Sequence, residues 1–232
     1  MHKFVFNEKS SSEFSTYISG SGTFDAPKRD VTKVKVPGRN GDLTIDNGRY
    51  ENILVIYPAF IVSEFKKNSD ALKAFLLKDS AYHRLEDSYH PEVFRMGKIT
   101  GPIEFDMKPM NRAGEFSIQF DCKPQRWLKS GEYALQITSG MTLKNPTLYP
   151  ALPLIRVYGT SGTLYVGNTI VQLKTIDGYV DIDSETQNAY KGTVNCNPNI
   201  YAPDFPQLLG ETGIRWEGSI DKVEVTPRWW TI

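Results

Sequence analysis

The stretch VPGRNGDLTIDNGRYENILVIY, residues 36 to 57, combines two Asn-Gly pairs with a long apolar run. Glycine has no Cβ and asparagine tolerates positive φ, so Asn-Gly favours the tight turn of a β-hairpin. The pairs Asn40-Gly41 and Asn47-Gly48 therefore predict two tight reversals of chain direction, seven residues apart. They would join three strands, at residues 31–36, 43–46 and 49–57.

The last of these strands is apolar at consecutive positions, from Ile53 to Tyr57. A strand that is apolar on both faces must be covered on both faces. One cover can be the sandwich of the same chain. The other is either a further layer of that domain, as in an ordinary buried strand, or a neighbouring subunit.

The rest of the chain alternates apolar and polar residues with a period of two, as in EFSIQFDC at residues 115–122. Turn residues separate these runs at short intervals, which is typical of antiparallel β-sandwiches. One segment has helical spacing instead and predicts an α-helix near residues 69–80, with Asn68 or Ser69 as its N-cap. The Ser130-Gly131 pair favours a boundary between domains at residues 1–130 and 131–232.

The composition is that of a folded chain: 232 residues, 40% hydrophobic and 12% aromatic, with equal numbers of acidic and basic side chains. A net charge of zero does not favour binding to a nucleic-acid backbone. The sequence predicts no signal peptide and no membrane span, since no apolar run reaches the ~18 residues that a span requires. Cys122 and Cys196 are interpreted as free thiols, although a disulfide is not ruled out.

No catalytic, cofactor-binding or metal-binding constellation stands out, and the chain is predicted not to be an enzyme. Asp181 and Asp183 share one strand face, but a calcium loop needs more oxygen ligands. A pair of glycosidase carboxylates far apart in sequence stays open.

Aromatic residues of the second half offer a different surface. Trp229 and Trp230 are adjacent, so on a strand they point to opposite faces, and at least one should leave the core. The candidates for a partner or glycan surface are Tyr190, Tyr201, Trp216, Trp229 and Trp230.

Four segments resemble the distal tail proteins of long-tailed, non-contractile bacteriophages: the stretch at 36–57, FDCKPQRWLKSGE at 120–132, IDSETQNAYKG at 182–192 and IDKVEVTPRWW at 220–230. The resemblance implies two β-sandwich domains, the first with one helix and an extended hairpin arm at residues 31–62, and the second galectin-like. It implies that the first domain forms a hexameric ring in which each arm embraces the next subunit. The interface residues expected on this basis are Arg39, Asn40, Gly41, Asp42, Asn47, Gly48, Tyr50, Ile53 and Val55.

The resemblance also implies partners and a location. The expected partners are further copies of the chain, the tail tube protein, the tail-tip protein and a receptor-binding protein, with DNA passing through the lumen without sequence-specific binding. The expected location is the virion tail tip, after synthesis in the cytoplasm of the bacterial host. The alternative hypothesis is a carbohydrate-binding module that attaches to the bacterial cell wall.

Overall fold

The computed structural model describes residues 1–20, 25–107 and 113–232 of the chain. The described residues form antiparallel strands and one α-helix, which confirms the predicted mainly-β class. They divide into two compact units, Met1–Arg126 with Ile232, and Trp127–Thr231. Each unit has a hydrophobic core of its own.

The strands of the first unit precede the boundary at Arg126. They are β1 (Phe4–Phe6), β2 (Lys9–Ser10), β3 (Thr16–Ile18), β4 (Arg29–Val34), β5 (Leu43–Tyr50), β6 (Ile53–Ile61), β7 (His83–Asp87), β8 (Val93–Lys98), β9 (Phe105–Met107) and β10 (Gly114–Cys122). A 3-10 helix spans Ser11–Phe14.

The main sheet of the first unit has the strand order β2-β1-β7-β8-β10-β6-β3, and β9 pairs with β10. An isolated bridge joins His2, just before β1, to Ile18 of β3 at the far end of this order. Strands β6 and β10 pair along their whole length, and alternate residues of both strands face the core. The period-two pattern of EFSIQFDC is therefore confirmed, with Ile118 and Phe120 fully buried.

The α-helix, α1, spans Phe65–Leu76 and begins four residues before the predicted start near residue 69. Asn68 and Ser69 are not caps. The Asn68 side-chain amide donates to the Ser63 carbonyl at 2.7 Å, and the Ser69 hydroxyl donates to the Lys66 carbonyl at 3.1 Å. Both polar side chains thus bond to carbonyls at the start of the helix, while Leu72 and Leu76 pack into the core.

The strands of the second unit follow the boundary strand β11 (Arg126–Leu128). They are β12 (Leu135–Ile137), β13 (Met141–Lys144), β14 (Leu154–Val166), β15 (Thr169–Leu173), β16 (Gly178–Asp183), β17 (Asn188–Lys191), β18 (Val194–Asn195), β19 (Ile200–Tyr201), β20 (Glu211–Thr226) and β21 (Trp230–Thr231). Two 3-10 helices span Lys129–Gly131 and Asn197–Asn199.

Two long strands, β14 and β20, organise the second unit. The first half of β14 pairs with β16 and its second half with β15, while β20 pairs with β14 along both halves. The ladder shifts register between Tyr158 and Ser161, and both halves of β14 contribute to one core. We infer that this strand pair bends at the register shift, so that its half beside β16 and its half beside β15 lie in opposite layers around the one core.

A glycine permits this bend. Gly159 has φ +147°, and a Cβ built on it would lie 2.2 Å from the Ser219 carbonyl oxygen on β20. The two strands can approach this closely only where no side chain intervenes.

Candidate functional site

The hairpin arm is a separate two-stranded ribbon, formed by β4 and β5. It is shorter than the predicted residues 31–62, because β6 (Ile53–Ile61) pairs with β10 and β3 in the main sheet. Among the described residues, β4 and β5 pair only with each other. Their register places Val34 opposite Leu43 and Thr32 opposite Ile45, so these four side chains share one face. Leu43 and Ile45 are exposed, Ile45 at 48%. Because an isolated two-stranded hairpin is at best marginally stable in water, an apolar face of this kind is suited to a partner.

A network of charged and amide groups stabilises the base of the arm. The Asn47 side-chain amide donates to Asp30 Oδ1 at 2.9 Å, and Arg49 Nε donates to Asp30 Oδ2 at 2.6 Å. These two bonds lower the pKa of the Asp30 carboxyl. Arg29 bonds Asp46 at 2.6 Å and the Tyr50 hydroxyl at 2.7 Å. The network holds the ribbon in one register although it has no core beneath it.

The two Asn-Gly pairs do not make the two tight reversals that the sequence predicts. Strand β5 continues through Asn47-Gly48. Gly48 has φ +73°, and the register shifts between Arg29 and Val31 on the facing strand, so this pair forms a β-bulge. Asn40-Gly41 lies in the loop between β4 and β5, which is longer than a two-residue turn.

The structure separates the predicted interface residues into three groups. Those of the loop and of the bulge are exposed, and Tyr50 is half-buried at the base of the arm. Ile53 and Val55 instead lie in the core of the first unit, so the prediction that they face a neighbour is wrong for the isolated chain. The alternation of β6 points Leu54 and Ile56 outward, with Leu54 49% exposed.

The five aromatic candidates of the second unit do not form one exposed surface. Trp229 is buried at 6% exposure, while Trp230 is half-buried and donates its indole N–H to the Pro150 carbonyl at 3.0 Å. The two neighbours thus point to different environments, as predicted. Trp216 packs against the core and donates to the Ile220 carbonyl. Tyr190 is half-buried, and Tyr201 is 55% exposed.

The carboxylates of β16 are engaged by arginines. Arg156 makes two hydrogen bonds to Asp181, at 2.7 and 2.8 Å. Arg228 does the same to Asp183, at 2.7 and 3.2 Å. Sequence reasoning missed both pairs, because the two arginines lie on other strands or loops. In the part of the chain that the structure describes, no group of three or more potential ligands is arranged to hold a metal ion.

The α-helix of the described residues is too short and too polar to cross a bilayer.

Comparisons with known proteins find similarity in structure alone. No family model and no curated protein matches the sequence. The Dit protein of phage SPP1, described as a paradigm of the hub adsorption apparatus in phages that infect Gram-positive bacteria, matches with a TM-score of 0.76 and 11% identity over 100% of both chains.

A chain of the phage p2 baseplate, in its activated conformation with Sr, matches with a TM-score of 0.51 and 11% identity over 97% of both chains. One neighbour is a phage hub protein and the other is part of a phage baseplate. At this identity the likeness establishes the fold, and the resemblance to distal tail proteins is confirmed at that level: from end to end, the chain shares the fold of the SPP1 Dit protein.

Proposed function

We propose that this chain is the distal tail protein of a bacteriophage tail tip, a structural hub and not an enzyme. The observation that carries the proposal is the match to the SPP1 Dit protein, which extends over the whole of both chains. A likeness confined to one sandwich would have little weight, since sandwiches serve many functions. Here the likeness covers 100% of both chains, with a TM-score of 0.76.

The hub assembles as a hexameric ring through its first unit. The arm supplies the reason for assembly, because Leu43 and Ile45 expose apolar surface that burial against a neighbour would stabilise. A specific contact buries ~1,600 Å² in total, and one ribbon face can supply only part of that area. The outward residues of β6, Leu54 and Ile56, add a second apolar surface on the same unit.

A ring follows from contact between unlike surfaces. When the arm of one copy covers a different surface of the next, the contact is head-to-tail and closes if the rotation fits. The ring would join the tail tube protein to the tail-tip protein, with DNA passing through its lumen, and the second, galectin-like unit would hold a receptor-binding protein. The hub would be made in the host cytoplasm and reside in the virion tail tip.

The alternative, a carbohydrate-binding module for the cell wall, has less support. Sugar binding by stacking requires open aromatic faces. Of the five aromatic candidates, only Tyr201 is mostly exposed, and Trp216 and Trp229 pack in the second unit.

The test is the mass of the purified chain in solution by light scattering over a range of concentrations, with negative-stain images of the largest species. We expect particles of six copies of the 26.3 kDa chain with a central hole. A chain that stays monomeric at every concentration, alone and mixed with its tail-tube and tail-tip partners, would contradict the ring.

A further inference from the structure

The second unit contains a cleft of about 850 Å³ at one end of its sandwich. Its wall includes Leu152 and Ser184, beside the start of β14, and Val166 and Thr212, beside its end. Because β14 and β20 bend midway, the start and the end of β14 both lie at the same open end of the sandwich. Loops at the end of a rigid sandwich are common places for binding sites.

The described wall of the cleft is rich in oxygen ligands and contains no lysine or arginine. It has three carboxylates, from Glu185, Asp204 and Glu211, and three amides, from Asn168, Gln187 and Gln207. Glu185 Oε2 lies 3.4 Å from Nη1 of Arg228, and Glu211 Oε1 lies 4.0 Å from Nζ of Lys144. The negative charge of the cleft is thus only partly compensated from outside its wall.

A buried hydroxyl in the same wall lacks a partner. Ser184 is 3% exposed, and its Oγ has no hydrogen-bond partner, whereas its backbone N–H donates to the Pro153 carbonyl. A buried polar group without a partner is unfavourable and uncommon in folded proteins. Because Ser184 lines the cleft, a donor bound there would be placed to supply the missing hydrogen bond.

We propose that this cleft binds an arginine-bearing segment of a partner protein. A guanidinium group offers five N–H donors and a fixed positive charge, which suit carboxylate and hydroxyl acceptors. A metal ion is a poorer occupant, since the described carboxylates do not cluster around one point. An anionic wall polymer would be repelled. A neutral sugar would not neutralise the carboxylates of the cleft. Phe205, the aromatic side chain of the described wall, packs against the core and so offers no open face for a sugar to stack on.

The inference deepens the proposed hub function and rests on it for one point, that the partner is another tail protein. The cation preference of the cleft is independent of that point. The experiment measures binding to the intact chain by titration calorimetry at low ionic strength. The probes are an acetylated tri-arginine amide and, in a second arm, a trimer of N-acetylglucosamine.

The test variant is Asp204→Asn with Glu211→Gln, which removes two charges with little change in shape. The matched control is Asp177→Asn with Glu217→Gln, which removes two exposed charges outside the wall of the cleft. We expect the peptide to bind the wild type, to bind the test variant about tenfold more weakly, and to bind the control as before. Ser184→Ala should also weaken binding, and added salt should weaken it further.

Absence of peptide binding would overturn the inference. An equal loss of peptide affinity in both double variants would also overturn it, because that result indicates non-specific electrostatic attraction. Binding of the sugar in place of the peptide would overturn it as well. The same samples are measured by light scattering. Peptide binding by a chain that forms no ring, either alone or mixed with its tail-tube and tail-tip partners, would retain the cleft and reject the hub. A ring that binds no peptide would retain the hub and reject the cleft.

Discussion

Arg228 and Asp183 form a bidentate ion pair, with Nη1 2.7 Å from Oδ1 and Nη2 3.2 Å from Oδ2. The pair joins the end of β16 to the segment between β20 and β21, and the Asp183 carboxylate also accepts the backbone N–H of Glu185 at 3.0 Å. Asp183 is buried, and its side chain is 7% exposed. The loss of one partner would leave the other charge in a poorly solvated position.

Asp183→Asn should therefore lower the free energy of unfolding of the second unit by about 2 kcal/mol, since charged hydrogen bonds are lost. The four tryptophans all lie in this unit, so their fluorescence during urea unfolding reports on it alone. Asp177→Asn is the control, because its ion pair with Lys191 is exposed and should contribute little. Equal loss in the two variants would show that the buried pair has no special role.

The pair also predicts a dependence on pH. Burial alone would raise the pKa of Asp183, but the hydrogen bond and charge of Arg228, with two backbone N–H groups, outweigh it and lower that pKa. The stabilisation is thus present above the unfolded carboxyl pKa of ~3.9 and is lost as pH falls through the folded value. Urea midpoints at successive pH values below 5 should fall more steeply for the wild type than for Asp183→Asn. Parallel curves would contradict this assignment.

Gly159→Ala should prevent the second unit from folding normally, with a loss of more than about 3 kcal/mol. The new Cβ would lie 2.2 Å from the Ser219 carbonyl oxygen on a backbone with φ +147°. Gly213→Ala, on β20, is the matched control, since nothing lies within 4 Å of its added Cβ. Thermal unfolding followed by tryptophan fluorescence compares them. A wild-type transition in Gly159→Ala would show that the bend does not depend on close approach.

Ile45→Asp should abolish or weaken ring formation by placing a charge on the apolar face of the arm. Thr44→Asp is the matched control, because the adjacent residue lies on the opposite face of β5. Light scattering on both variants at equal concentration gives the result. If Thr44→Asp disrupts assembly and Ile45→Asp does not, the other face of the ribbon makes the contact.

The two cysteines should differ in reactivity. Burial raises the pKa of the Cys122 thiol to about 12, and this side chain is fully buried, whereas Cys196 is partly exposed. A thiolate is the reactive form, so Cys122 should react with a thiol reagent at pH 8 only after unfolding. The Cys196→Ser variant should therefore show no fast-reacting thiol in the folded chain. Rapid labelling of that variant would indicate that the first unit opens readily.

Features that depend on one segment were predictable from the sequence. The alternation of β10 identifies a half-buried strand because neighbouring residues of a strand point to opposite faces. The helix was predicted for the same reason, from spacing along one face. Its start was misplaced because Asn68 and Ser69, which are common caps, bond instead to the carbonyls of Ser63, just before the helix, and Lys66, in its first turn.

Features that depend on two segments were not predictable. Asn47-Gly48 becomes a bulge only in relation to the register of β4. The run from Ile53 to Tyr57 is apolar throughout, so its pattern cannot tell which alternate set enters the core. The pairing of Asp183 with Arg228 and the wall of the cleft join residues from distant loops, which no local pattern reveals.

The bent pair of strands β14 and β20 has a mechanical consequence. Since each strand belongs to both layers, the layers cannot slide past or peel from one another without rupture of the ladder that joins the two strands. A force that pulls β14 and β20 in opposite directions along their length would therefore load many backbone hydrogen bonds at once. In a single-molecule stretching experiment this unit should resist extension and then rupture in one abrupt step, a behaviour suited to a part that must withstand tension without loosening.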